Sequence, residues 1–322
     1  MSQGQFLSNC AADTLSNAAE SLKSGALVAF PTETVYGLGA DASNEKAVAR
    51  IYQVKGRPQD HPLILHIATM NDITYWAEDI CDYAITLARS FWPGSMTLIF
   101  KRSDAAKDFV TGGQDTVGLR VPDHSLALGL LQECKKIGVH AIAAPSANRF
   151  GHVSPTTAIA VQDEIGPYLS VQDLILDGGA AQVGLESTII DCTGDAPKIL
   201  RPGAITQAMI EEATGMTVNE NNNSDIRVSG SLEKHYAPNA QILLDVQANQ
   251  GEGFIAPAEV ATPSGAIRLA SPANTDEYAR ILYSALREGD AQGLNTIAII
   301  QPSGDGLAIA IRDRLMRASK GR

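Results

Sequence analysis

Apolar runs and amphipathic segments alternate along the first two-thirds of the chain. The run "GALVAF" (25–30) predicts a buried strand that stops at Pro31. After a glycine-rich turn, "SNEKAVARIYQVK" (43–55) carries its apolar residues at helical spacing, with Ser43 as the predicted N-cap. The next run, "PLILHI" (62–67), predicts a strand whose side chains alternate between two faces. This part of the chain is therefore predicted to form a strand, a helix and a second strand.

The same alternation continues to about residue 215. Further strands are predicted over 95–100, 117–121, 140–144, 173–177, 187–191 and 198–201. Further helices are predicted over 83–91, 125–138, 154–166 and 206–215. Several strands follow one another directly, so we expect a mixed α/β sheet and not a regular parallel barrel.

Two of these helices have predicted end signals. Gly138 suits the position just beyond a helix C-terminus, where glycine adopts the left-handed conformation at little cost. Ser154 is the predicted N-cap of the 154–166 helix, with Pro155 at its first position and Gly166 at its exit.

The chain changes character after residue 218. Asparagine and aspartate dominate "VNENNNSDIRVSGS", which predicts a linker over 219–239 between a first domain, 1–218, and a smaller α/β domain, 240–322. The smaller domain is predicted to run strand, helix, strand and helix, and Asn274 with Glu277 forms a capping-box variant before its first helix.

Composition and charge narrow the class of protein. The 322 residues are 44% hydrophobic and carry a formal net charge of -11, which disfavours sequence-blind nucleic-acid binding through many phosphate contacts. The four cysteines lie far apart, which disfavours a disulfide framework or a structural zinc site. The start resembles no secretory signal and no apolar run is long enough for a membrane span, so we expect a cytoplasmic protein.

Two phosphate-binding motifs can be weighed from the sequence. "GLGADA" (37–42) matches the glycine spacing of a dinucleotide fingerprint, but "PTETVY" separates it from the preceding strand, so this signal is weak. No G-x-x-x-x-G-K-[ST] stretch exists, which excludes a P-loop. If the protein binds ATP, another element holds its phosphates.

The stretch "KGRPQDHP" (55–62) supplies such an element. Lys55 offers a point charge and Arg57 a planar fork, and the intervening glycine and the following prolines restrict where they point. A solvated turn is the simpler alternative. Arg120, flanked by apolar residues, is predicted to be buried and to need an anion, either internal or bound.

Other polar clusters adjoin apolar strands and could converge at one crevice. Ser146, Asn148 and Ser154 could donate hydrogen bonds to an anion, or they could cap the following helix. Ser187 and Thr188 could also donate to an anion, or their hydroxyls could be strand side chains with no role in binding.

The order of these motifs resembles one family. "FPTETVYGLGADA", "IYQVKGRPQDHPLILHI", "FWPGSMTLI", "DTVGLRVPDH", "AAPSANRFGHVSPT", "DGG…VGLESTIID" and "ILRPGAI" occur in the order typical of the YrdC-like family. "HYAPNA" and the final α/β unit resemble the long form, an L-threonylcarbamoyladenylate synthase with an additional C-terminal domain. The resemblance implies a twisted, mostly open α/β sheet with a positively charged concave cavity.

The resemblance also implies an activity. The family's enzymes are nucleotidyltransferases that combine L-threonine, bicarbonate and ATP, with Mg²⁺ accompanying the ATP, and release pyrophosphate and threonylcarbamoyl-AMP. That product feeds the threonylcarbamoyladenosine modification of tRNA through downstream transferase proteins.

Site residues carry over position by position. For ATP, the resemblance implies Arg57, His61, Thr116, Ser146, Ser154, Arg201 and Tyr236, with Lys55 and Arg57 as the catalytic cations. For L-threonine, it implies Thr34, His66, Arg120, the backbone at Ala144, and Ser187. Position 61 is often asparagine in the family, so the contact of His61 is the least secure. Tyr236 lies in the linker, which would then fold over the cavity as a lid.

Three alternatives remain. The family's basic cavity could serve as an RNA-binding module, although the net charge and the small-molecule motifs disfavour this as the main role. YrdC-like domains also occur in carbamoyl transfer for hydrogenase maturation, but those proteins add zinc-finger cysteines and an acylphosphatase-like region. Residues 240–322 could act alone in regulation; we instead expect them to gate the cavity together with the linker.

Overall fold

The computed structural model describes residues 5–7, 12–218, 226–230 and 235–321. Parts of the predicted linker, 219–225 and 231–234, lie outside the described residues. The remaining chain forms one large and one small sheet, each covered by helices.

The first unit supplies the large sheet. Its strands are β1 (Gln5–Leu7), β2 (Val28–Phe30), β3 (Gly37–Asp41), β4 (Ile64–His66), β5 (Ala77–Glu78), β6 (Met96–Arg102), β7 (Thr116–Arg120), β8 (Ile142–Ala143), β9 (Leu174–Leu176), β10 (Thr188–Asp191) and β11 (Lys198–Arg201). Its helices are α1 (Ala12–Lys23), α2 (Glu45–Lys55), α3 (Ile73–Trp76), α4 (Asp82–Phe91), α5 (Asp108–Thr111), α6 (Ser125–Lys136), α7 (Ala158–Ile165) and α8 (Gln207–Thr214).

The large sheet is mixed, as the sequence predicts. Within the described residues its order is β1-β9-β2-β3-β8-β4-β7-β6-β10-β11, with β5 paired to β6. Strands β4 and β7 run parallel, and their register places His66 opposite Arg120 at the carboxyl ends. Strands β6 and β7 are antiparallel, and β6 and β10 parallel.

Period-2 alternation decides which side chains reach the site. Leu65 and Leu119 point to the face that α2, α4 and α7 cover, where they join the main apolar core. Their neighbours His66 and Arg120 therefore point to the opposite face. Helices α1 and α6 cover only part of that face, through a second apolar cluster. The uncovered part is where the cavity lies.

The second unit is a small parallel sheet. It contains β12 (Gln241–Leu244), β13 (Gly253–Ile255), β14 (Ile267–Ala270) and β15 (Thr296–Ile299), with α9 (Thr275–Ala291) and α10 (Leu307–Ser319). The order β12-β15-β13-β14 is parallel throughout. The sequence prediction missed β13 and β14.

Three local predictions are wrong for identifiable reasons. Asn44, not Ser43, caps α2, because the Asn44 side chain accepts from the Ala47 amide while Ser43 bonds to Asp41. Thr157, not Ser154, caps α7, so Pro155 lies before the helix. The "glycine-rich turn" is strand β3, in which Gly39 leaves room for the Ile142 and Phe30 side chains: a Cβ there would lie 2.6 Å from Ile142.

Two other end signals are confirmed. Gly138 follows α6 with a φ of 80°, and its amide donates to the Lys135 carbonyl. Asn274 caps α9 by accepting from the Glu277 amide, while the Glu277 carboxylate accepts from Ala273, one residue earlier than in the standard box.

Candidate active site

A narrow cavity opens on the uncovered face of the large sheet. Its walls come from the strand ends, the loop after α2, the loops around 146 and 187, and the linker. The lining residues are Thr32, Thr34, Val35, Tyr36, Gly37, Arg57, Ile64, His66, Arg120, Ala144, Pro145, Ser146, Glu186, Ser187, Arg201, Ser229, Gly230, His235 and Tyr236. Arg57 and Arg120 thus share one cavity, as the sequence hypothesis requires. Its volume is only about 50 Å³, far below that of a nucleotide-sized pocket.

The loop after α2 delivers Arg57 to this cavity. Helix α2 ends in the left-handed Gly56 (φ 62°), and a Cβ at that position would lie 2.8 Å from the Arg149 guanidinium. Arg57 is buried, and its Nη2 donates to the Pro62 carbonyl at 2.9 Å and to Ser229 Oγ at 3.1 Å. Burial lowers its pKa to about 10, so the guanidinium remains charged at neutral pH. The simple solvated turn is excluded.

Lys55 lies beneath the cavity and does not line it. Its Nζ donates to the carbonyls of Ser146 (2.6 Å) and Asn148 (2.5 Å), which fixes the loop that carries Ser146 into the wall. Burial, together with the neighbouring Arg57, lowers the pKa of Lys55 well below its ordinary value. In this conformation Lys55 supports the wall, and its predicted role at the phosphates stays a prediction.

Arg120 has an internal anion. Its Nη2 donates to Glu33 Oε1 at 2.6 Å and to Thr34 Oγ1 at 2.9 Å, and its Nε donates to the Gly94 carbonyl. Glu33 also accepts from Ser95 Oγ and from the Asp123 amide. The sequence hypothesis left the internal and the bound anion open, and the structure supplies the internal one.

His66 lies beside Arg120 as a neutral ring. Burial, reinforced by the Arg120 charge, lowers its pKa to about 3. Its ring stands edge-on to Phe30 at 5.7 Å between centroids. Its Nδ1 is buried and has no hydrogen-bond partner within the described residues.

Arg201 and Ser187 form the next wall. Arg201 donates through Nε and Nη2 to the Ser187 carbonyl at 3.0 and 2.9 Å, and through Nη2 to Ser187 Oγ at 3.1 Å. Ser187 Oγ also lies 2.8 Å from Thr97 Oγ1. Arg201 Nη1 reaches across to the Ser229 carbonyl at 2.7 Å.

The linker closes the cavity from above. Tyr236 is buried at a left-handed backbone position (φ 62°), and its hydroxyl has no hydrogen-bond partner in the described chain. His235 packs against its ring, and burial lowers the pKa of His235 to about 3. Ser229 bonds to both Arg57 and Arg201, so the linker ties two of the cationic walls together.

The remaining predicted residues lie at varying distances from the cavity. Ser146 and the Ala144 backbone line it. Ser154 lies behind it and donates to Glu186 at 2.6 Å. Thr116 borders an adjacent crevice with Arg227 and Ser229. His61 stands edge-on to Phe150, which the Arg57 guanidinium approaches to 6.0 Å.

Sequence reasoning missed Glu33, Glu186, Ser229 and His235. Both glutamates lie within the quoted motifs "PTETVYG" and "GLESTII", and the expectation that a buried arginine needs an anion was the signal that could have found Glu33. Ser229 and His235 lie in the polar linker, where composition indicates no contact.

Unpaired polar atoms mark the cavity as a ligand site. Arg57 Nε, His66 Nδ1, His235 Nδ1 and Tyr236 Oη are all buried without partners among the described residues, and all four residues line the cavity. Buried polar groups are rarely left unpaired without a functional reason. With Arg57, Arg120 and Arg201 around the same space, the site defines a protein that binds an anionic small molecule on an α/β sheet.

Comparison with known proteins gives the family. A family model of the Sua5, YciO and YrdC proteins, described as "Telomere recombination", matches residues 20–203, and one described as "Threonylcarbamoyl-AMP synthase, C-terminal domain" matches residues 205–320. The chain therefore belongs to the Sua5/YciO/YrdC family, in the long form that carries the additional C-terminal domain.

Two relatives are similar to this chain over nearly its whole length. The threonylcarbamoyl-AMP synthase of Pyrococcus abyssi is 38% identical over 94% of this chain and 93% of its own length. That of Bacillus subtilis is 38% identical over 96% and 93%. The crystal structure of P. abyssi Sua5 complexed with L-threonine superposes with a TM-score of 0.88 at 34% identity, covering 99% of this chain and 98% of that one.

Proposed function

We propose that this protein is an L-threonylcarbamoyladenylate synthase, which forms threonylcarbamoyl-AMP and pyrophosphate from L-threonine, bicarbonate and ATP. The observation that carries the proposal is the convergence of Arg57, Arg120 and Arg201 on one cavity. Full-length similarity to synthases of that name supports it. No helix in the described part of the chain is long and apolar enough to cross a membrane. A cytoplasmic location stays a prediction.

L-threonine would bind where the strand ends meet. Thr34, His66, Arg120, the Ala144 backbone and Ser187 surround this end of the cavity. Glu33 holds one edge of the Arg120 guanidinium, and Nη1 makes no hydrogen bond within the described residues, which leaves it for the amino acid's carboxylate. The neutral His66 adds no second positive charge there.

ATP would bind between Arg57 and Arg201, with Ser146 and Tyr236 alongside. Ser229 bonds to both arginines and the cavity is small, so the linker must move before a triphosphate can enter. Phosphate oxygens would then replace the Ser229 oxygens as acceptors. His61, Thr116 and Ser154 lie next to this space and would contact the nucleotide only after such a rearrangement.

The chemistry needs positioning more than covalent catalysis. The amine of L-threonine would attack the carbon of bicarbonate, and water would leave, so that an N-carboxylate forms. An oxygen of this N-carboxylate would then attack the α-phosphorus of ATP while pyrophosphate leaves. Arg57 and Arg201 would hold the phosphates and stabilise the charge that develops on them. Closure of the linker would exclude water, which otherwise decomposes the carbamate.

Mg²⁺ is expected with the ATP, but the described part of the chain offers no set of carboxylates that would coordinate it. Among the described residues no group of three His, Cys, Asp or Glu side chains could hold a metal ion. The two carboxylates at the site, Glu33 and Glu186, each pair with an arginine. We therefore expect the ion to bind mainly through the phosphates and water. The product would pass to tRNA-modifying transferase proteins.

Mass analysis of the product tests the proposal. Purified protein is incubated with ATP, bicarbonate and L-threonine, with L-serine as competitor. We expect a threonylcarbamoyl-AMP adduct and equimolar pyrophosphate, both dependent on threonine. Product formation that needs RNA, or ATP hydrolysis without an amino-acid adduct, would contradict the proposal.

A further inference from the structure

A buried arginine of the second unit reaches the wall of the cavity. Arg314 lies on α10, and its side chain is fully buried. Its Nε donates to Glu186 Oε2 at 2.9 Å, and its Nη2 donates to the Pro202 carbonyl at 2.9 Å. Its guanidinium carbon lies 5.2 Å from the centroid of the Tyr236 ring.

Each of these contacts adjoins a proposed substrate residue. Glu186 precedes Ser187 and lines the cavity itself, and Pro202 follows Arg201. Tyr236 lies in the lid. One side chain of the second unit thus touches three separate segments of the wall, which come from the start of β10, the end of β11 and the linker.

Glu186 is the centre of this contact. Its Oε1 accepts from Ser154 Oγ at 2.6 Å, and its Oε2 accepts from Tyr283 Oη at 2.9 Å as well as from Arg314. Tyr283, on α9, also stacks on Tyr236 with 5.8 Å between centroids. Burial acts to raise the pKa of Glu186, but Arg314 and then Arg201 outweigh it and lower that pKa, so the carboxylate stays ionised.

The planar fork of arginine suits this arrangement. Nε and Nη2 point at Glu186 and Pro202, while Nη1 donates to Asp313 Oδ2 at 2.5 Å. The flat face remains for the Tyr236 ring. A lysine could supply the charge but could not make these contacts together.

We propose that Arg314 is a positioning residue of the synthase, through which the C-terminal unit sets the places of Ser187, Arg201 and Tyr236. The proposal rests on the proposed function. It assigns the second unit a direct part in shaping the active site, beyond covering it.

A second arginine between the units provides a matched control. Arg287, on α9, pairs with Glu164 at 3.0 Å and donates to the Val153 carbonyl. It borders a different groove, and neither of these partners lines the cavity. Arg287→Met removes an ion pair between the units without touching the cavity wall. If both arginines serve only to hold the two units together, the Arg314 and Arg287 variants should have the same kinetics.

The test compares full-length Arg314→Met, Arg314→Lys and Arg287→Met in two measurements. For Arg314→Met we expect kcat/KM to fall by about tenfold or more, with KM for both ATP and L-threonine raised, because loosened wall residues bind both substrates less well. For Arg287→Met we expect a change within about threefold. Arg314→Lys should recover only part of the loss, because it restores the charge without the fork.

The second measurement is independent of activity. Amide hydrogen exchange over 185–190 and 200–204 should accelerate in Arg314→Met and stay as in the wild type in Arg287→Met. If Arg314→Met fails to fold, Glu186→Gln/Arg314→Met replaces it, since that pair removes the buried carboxylate charge together with its arginine partner. Equal kinetics and equal exchange in the Arg314 and Arg287 variants would overturn the proposal. An inactive wild type would overturn the proposed function. The hydrogen-exchange comparison would still test whether Arg314 positions the wall segments.

Discussion

Arg120 Nη2 lies 2.6 Å from Glu33 Oε1, and both side chains are almost completely buried. Glu33 in turn is held by Ser95 and the Asp123 amide. The Arg120 guanidinium is therefore fixed before any substrate arrives. Because the side chain is already ordered, it loses little conformational entropy when it binds a carboxylate.

This ion pair predicts a strict need for arginine at position 120. In Arg120→Lys an ammonium cannot serve Glu33, Thr34 and an incoming carboxylate in one plane. We expect the Kd for L-threonine to rise by about tenfold or more, measured by calorimetry. Arg50→Lys is the control, because Arg50 pairs with Asp173 away from the cavity. An Arg120→Lys affinity equal to that of the control would contradict the assignment.

Ser229 predicts how the lid competes with ATP. Ser229→Ala removes the hydroxyl that accepts from Arg57 and donates to the Pro62 carbonyl. We expect KM for ATP to fall by about threefold to tenfold, because one hydrogen bond no longer has to be exchanged, while KM for L-threonine stays unchanged. Ser103→Ala, in an exposed turn bonded to Tyr75, is the control. An unchanged or higher KM for ATP would mean that this contact does not oppose nucleotide entry.

Alanine substitutions at Lys55 and Arg57 should differ in how they affect activity and thermal stability. Lys55→Ala leaves the Ser146 and Asn148 carbonyls without their donor, so we expect both lower activity and a melting temperature lower by several degrees. Arg57→Ala removes a group that faces the cavity, so we expect lost activity with a smaller change in melting temperature. Thermal unfolding and pyrophosphate release on both variants separate the roles. Activity near the wild-type rate in Lys55→Ala would remove Lys55 from the mechanism.

His66 predicts a pH dependence of stability. Burial and Arg120 lower its folded pKa to about 3, whereas the unfolded side chain titrates near pH 6.5. Between these values the unfolded state binds the extra proton, so the free energy of unfolding rises with pH and falls as pH drops below 6.5.

Urea unfolding at several pH values between 4 and 7 measures this slope. His66→Asn should reduce this slope by about 1.4 kcal/mol per pH unit. Equal slopes in the wild type and His66→Asn would show that His66 is not held neutral.

The fold and the cationic walls could be predicted from sequence because both are encoded locally. The motif around Arg57 combines a helix end, a left-handed glycine and two prolines within eight residues. The alternation in "PLILHI" predicts that His66 and Leu65 point to opposite faces of the sheet. The same rule applies to Arg120 and its neighbour Leu119. Periodicity and turn chemistry need no distant contact to be recognised.

Long-range pairings could not be predicted in this way. Arg314 meets Glu186 across more than a hundred residues, and Ser229 reaches Arg57 from a linker whose composition indicates no structure. Lys55 is a case in which the local motif alone is misleading. Its motif indicates a side chain that binds phosphate, but in the fold its ammonium group donates to the carbonyls of Ser146 and Asn148. Which anion or acceptor a buried cation selects depends on the tertiary fold.

The most direct test of the central claim is incorporation of labelled bicarbonate into an AMP-linked product by the wild type, Arg57→Ala and Arg120→Met. If both arginines serve one cavity, the wild type forms labelled product only with L-threonine and ATP together, and each variant loses nearly all of it. Near-normal incorporation in either variant, or labelling without L-threonine, would contradict a shared site.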